Sequence, residues 1–125
     1  MAVYTNLPVY EECYQLFLKF TQLSLKMQRD YRYSLGQDVK RLLMDIILDI
    51  YKANYKEIMK LSCISDAREK MVELQVIMRL LNEVRQIPDK HYMMLTESTV
   101  NIVKQLTGWE RSVSKRESKN KTESD

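Results

Sequence analysis

The chain has 125 residues, a length that suits one domain, and 45% of them are hydrophobic, enough to fill one core. It has only two glycines and two prolines, which argues against folds built on many tight turns and for long helices. The net charge of +3 is mild; it permits contact with a nucleic acid without establishing it, so the placement of the charge matters more than its sum.

The first six residues, Met1 to Asn6, have no basic start and no apolar run, so no signal peptide is expected. No apolar stretch nears the ~18 residues that span a bilayer. The expected location is the cytoplasm, with both thiols reduced and no membrane contact. The spacing predicts a first helix over residues 8–27, with Pro8 in the first turn, where its missing N–H is not needed. Tyr10, Cys13, Phe17, Phe20, Ser24 and Met27 form its apolar stripe, widened by Leu16 and Leu23. Glu11 and Glu12 complement the positive end. Cys13 lies on the stripe and reads as a small buried thiol rather than a reactive one.

The segment from Tyr31 to Lys40 turns the chain back. Ser34 and Gln37 have the spacing of a capping box, and Asp38 adds negative charge to the start of the next helix. Gly36 in that first turn reads as close approach of another backbone or as tolerance near a frayed end. The second helix is expected over residues 35–54. Val39, Leu42, Ile46, Ile50 and Ala53 make its stripe, with Leu43, Ile47 and Tyr51 beside it. Asp45 and Asp49 lie four apart, but no Glu-x-x-His motif accompanies them. Surface pairs of Asp49 with Lys52, or Asp45 with Arg41, are the expected use.

Residues 55–61 are the expected connection and 62–86 the third helix, with Ala67, Met71, Leu74, Met78 and Leu81 as its stripe. Ile77 and Val84 broaden that face, and Arg79 is placed to pair with Glu83 or to reach a partner. Ile87-Pro88-Asp89 is a turn, and a fourth helix follows over residues 89–113. Tyr92, Leu95, Thr99, Ile102, Leu106, Trp109 and Val113 repeat at 3 and 4 without a break. Gly108 beside this stripe lets a neighbouring helix approach or is merely tolerated. Residues 114–125 are polar throughout and are expected to be a disordered tail outside a 1–113 bundle. Four helices with short connections predict an all-α, antiparallel up-down-up-down bundle. Trp109 and the second apolar flanks exceed what one small bundle must bury, which predicts self-association.

In such a bundle one pole gathers Lys26, Arg29, Arg32, Lys40, Arg41, Arg85 and Lys90 against Asp30, Asp38, Glu83 and Asp89. Tyr31 and Tyr33 lie among them, and basic groups with aromatic rings can track a phosphate backbone and stack on bases. Solvation of helix ends is the plainer use of such residues. Cys13, Cys63 and the one histidine complete no zinc site. There is no Gly-rich phosphate loop, nucleophile elbow or metal box, so no catalytic residue, metal or cofactor is expected.

Tyr31-x-Tyr33-x-Leu35-Gly36-Gln37 resembles the four-helix-bundle family typified by the accessory variability determinant of diversity-generating retroelements. Leu7-Pro8-Val9-Tyr10 is similar to that family's start. Ala67-Arg68-Glu69 with Arg79-Leu80 resembles its third helix, and Gln105-Leu106-Thr107-Gly108-Trp109 its fourth. The resemblance implies a pentameric barrel of bundles that binds nucleic acid and a reverse transcriptase. The expected function is that of a non-catalytic accessory protein, holding template RNA or an RNA–cDNA intermediate beside the polymerase during mutagenic copying. Self-contact is expected at Gly36, Gly108 and Trp109. A related branch, encoded in intervening sequences of large-subunit ribosomal RNA genes, is the alternative. A third reading comes from Arg85 and His91, which have the Arg-x(4–6)-His spacing of HEPN ribonucleases, a different helical group that cuts RNA without metal. Gln86 stands where those enzymes commonly place a polar residue, an imperfect match.

Overall fold

The computed structural model describes residues 7–124, with side chains as far as residue 119. The leader of six residues lies outside the described residues. The described chain forms α1 (Pro8–Ser24), α2 (Arg29–Arg32), α3 (Leu35–Tyr55), α4 (Lys60–Glu83) and α5 (Asp89–Ser124), without a strand. Four are long, as the apolar periodicity predicts; α2 is a single turn inserted in the corner between the first two. The long helices close a ring of contacts: α1 packs on α3 and α5, α3 on α4, and α4 on α5. Cross-helix pairs hold the ring at several heights. Gln105 Nε2 donates to Glu12 at 2.9 Å, Lys70 Nζ to Asp49 at 2.7 Å, and Gln75 Nε2 to the Thr99 hydroxyl at 3.2 Å. Arg68 meets Glu110 at 3.1 Å.

The core is made by the expected stripes of α3, α4 and α5, including Leu42, Ile46, Met71, Leu74, Met78, Ile102 and Leu106. On α1 the buried line is turned by about one residue. Val9, Cys13, Leu16, Phe20 and Ser24 are buried, while Tyr10 and Phe17, expected on the stripe, pack against its edge. The helix lies in the groove between α3 and α5, and Leu16 rather than the bulkier Phe17 occupies the centre of that groove.

The corner differs from the expected capping box. No side-chain hydrogen bond caps α3; the Ser34 hydroxyl donates backwards to the Asp30 carbonyl at 2.6 Å. The turn of α2 just upstream supplies that carbonyl four residues back, and a serine hydroxyl readily takes such a local acceptor. Gly36 is buried, and a side chain there would put its Cβ 3.2 Å from the Tyr31 carbonyl oxygen and 3.7 Å from Met27 Sδ. Its lack of a side chain is therefore explained by packing within the chain. Gly36→Val drives two further methyl groups into this contact and costs about 2 kcal/mol by overpacking. A thermal melt reads that loss; an unchanged midpoint would mean that the Tyr31 carbonyl yields freely.

The far end also departs from expectation. α5 does not stop at Val113 but runs to Ser124. After Gly108 there is no glycine or proline to end it. Among the described residues Val113 is the last buried side chain, and residues 114–119 are exposed.

Candidate nucleic-acid interface

The basic pole is built from the α1–α3 corner and the α4–α5 turn. The end of α1 leaves carbonyls without helical partners. Arg32 folds back to take them: its Nε donates to the Ser24 carbonyl at 3.1 Å, and its Nη2 to the carbonyls of Leu25 and Met27. Arg32, expected to contact ligand, is thus committed to holding the corner. The α4 end closes by a left-handed turn. Gln86 N–H donates to the Leu81 carbonyl at 2.8 Å and Arg85 N–H to the Asn82 carbonyl at 3.0 Å, with Arg85 at φ 65°. That position normally belongs to glycine. The two halves meet where Gln28 N–H donates to Gln86 Oε1 at 2.8 Å. Asn82 Nδ2 then donates to Asp89 Oδ1 at 2.8 Å and to the carbonyl of buried Ile87, fixing the start of α5.

On this frame Lys26, Arg29 and Lys90 are exposed and Lys40 is half-buried; none has an ion-pair partner among the described residues. Arg85 is open to solvent and only 3.9 Å from Asp89, and Arg41 stands 3.4 Å from Asp38. Exposed pairs of this kind are worth little, so both cations remain available to an anion. Tyr33 is 60% exposed and offers a ring face, whereas Tyr31 packs against the core.

His91 lines a cavity of about 290 Å³ between α1 and α5, with Lys19, Gln22 and Lys26 on one side and Met94 nearby, floored by Leu23 and Leu95. Arg85 is not among the residues that line this cavity next to His91. Lys19 is the site residue that the sequence reading missed. Its signal was present, since Lys19, Gln22, Leu23 and Lys26 are spaced for one helix face.

The paired carboxylates have another use. Asp49 does not meet Lys52; it is buried and bonds Lys70 of α4, while Arg41 turns to Asp38 rather than Asp45. Burial pulls the Lys70 ammonium down, but the hydrogen bond and charge of Asp49, aided by Asp45 and Asp66, outweigh it and hold the pKa above its ordinary value. Among the described residues no three His, Cys, Asp or Glu side chains gather as a metal site. Cys13 and Cys63 are both buried; burial, then the Glu12 charge, pushes the Cys13 thiol up to about 12. Arg79 pairs with Glu83 at 3.2 Å, as its spacing predicts.

Of the residues expected at a self-contact, Gly36 is buried inside the chain. Gly108 is exposed, and a Cβ there would meet nothing within 4 Å. Trp109 is half-buried and shares a shallow pocket with Leu7, Pro8, Val9, Gln105 and Gly108. Apolar side chains also face outward at helical spacing: Tyr14 and Leu18 on α1, Met44 and Leu48 on α3, Val72, Val76 and Leu80 on α4. Among the described residues no helix is long and apolar enough to cross a membrane. Comparison with known proteins finds no matching family model, no matching curated protein and no matching solved structure.

Proposed function

We propose that this chain is a non-catalytic, nucleic-acid-binding accessory protein that serves a reverse transcriptase in a diversity-generating retroelement. It acts in the cytoplasm as an antiparallel up-down-up-down bundle assembled with its own copies into a barrel. The protein supplies charge, shape and a docking surface for template RNA and cDNA; the polymerase supplies the chemistry. The antiparallel arrangement is supported by pairs whose numbers run in opposite directions along neighbouring helices, Gln75 with Thr99 and Arg68 with Glu110 between α4 and α5. Outward apolar lines on three helices, and Trp109 beside open Gly108, support protein contact.

One observation carries the nucleic-acid reading. Arg85 holds a left-handed backbone conformation that costs a side-chain-bearing residue about 1–2 kcal/mol. A cation kept where glycine is easier, at the centre of the basic pole, is a cation in use. Arg85→Gly tests this by splitting stability from binding. The variant gains about 1 kcal/mol of stability, read in a thermal melt, and loses affinity for RNA, read by fluorescence anisotropy. Unchanged RNA affinity would remove the charge from the interface.

A further inference from the structure

We propose that the cavity between α1 and α5 binds a nucleoside phosphomonoester, with a base on the apolar floor and a dianionic phosphate among Lys19, Lys26 and His91. Three observations converge. First, the lining is one-signed: Lys19, Lys26 and His91 share about 290 Å³ with no carboxylate among the lining residues. None of the three side chains has a hydrogen bond or ion pair with a described residue, so all three are free to meet an anion. Second, the floor is apolar. Leu95 is 2% exposed and fixed in the core, Leu23 packs against it, and Met94 can adapt to a ring face. Third, the volume lies at the small end of ligand cavities, which fits one nucleotide and not a duplex. A terminal phosphate carries about −1.5 to −2 charge at neutral pH, more than the single charge of an internal diester, and so matches three converging donors better. Gln22 can donate to, and accept from, the edge of a base.

The ligand can come from two sources, the phosphorylated end of a strand or a free mononucleotide. The strand-end source rests on the nucleic-acid reading above; the free-nucleotide source does not. The probes are AMP, adenosine, and one RNA oligomer prepared with either a 5′-phosphate or a 5′-hydroxyl. Because His91 is the chain's one histidine, its imidazole protons give an unambiguous NMR signal. AMP is expected to shift that signal and adenosine to shift it far less. Lys19→Ala and His91→Ala each weaken AMP binding about tenfold, the loss typical of a hydrogen bond to a charged group. Tighter binding of the 5′-phosphorylated oligomer, with AMP competing, assigns the site to strand ends. Equal binding of the two oligomers, with AMP still bound, assigns it to a free nucleotide. AMP binding with no affinity for either oligomer supports the cavity and sinks the nucleic-acid reading. No AMP binding at millimolar concentration, or binding indifferent to both substitutions, overturns the proposal whatever the oligomers do.

Discussion

Replacing Lys26, Arg29 and Lys90 together by alanine is expected to weaken single-stranded RNA binding about 100-fold at moderate salt. These are the exposed cations of the pole that have no partner among the described residues, so their charge is free for phosphate. Each phosphate contact on a single strand contributes about 0.7 to the salt slope, so three lost contacts lower it by about 2. In an oligomer the change multiplies with the subunits that touch the strand. The control is Lys52→Ala with Lys56→Ala, two exposed lysines at the other end of α3. Lys60 is no control, because it is buried and reaches Glu57 at 3.2 Å. Arg32→Ala is left out for a related reason: it would open the corner and unsettle the fold with the charge. Equal losses in pole and control variants would show that the strand reads charge diffusely, and the pole would lose its role.

Phe20→Ala is expected to cost about 3–5 kcal/mol, enough to unfold much of the population of a marginal domain. The ring is fully buried among the four long helices, and its removal leaves a void that the core closes only in part. Phe17→Ala makes the comparison sharp. The apolar spacing treats the two rings alike, but Phe17 sits at the edge of the buried line, so its truncation costs about 1–2 kcal/mol. Urea denaturation of both variants in dilute protein measures the difference. Similar losses would mean that α1 presents the face its spacing first suggested and not the rotated one.

Sequence by itself determined the four long helices, most of the residues they bury and the sharp turn at Pro88. It also determined the Arg79–Glu83 pair and the inert burial of Cys13. Each depends on neighbours three or four residues away, and the chain carries those neighbours wherever the helix goes. Tertiary structure alone decided the rest. Asp49 was expected to meet Lys52 one turn on, yet it meets Lys70, because the close packing of α3 on α4 brings a deeper partner within 2.7 Å. Arg32 and Arg41 looked alike as pole cations. One is spent on the carbonyls at the end of α1 and the other stays near solvent, a division set by how the single turn of α2 folds the corner. Lys19 and His91 are 72 residues apart and share a cavity only because α1 and α5 lie side by side at that height. Rotation and axial offset of one helix against another are fixed by how side chains of all four interlock, and no local spacing encodes them.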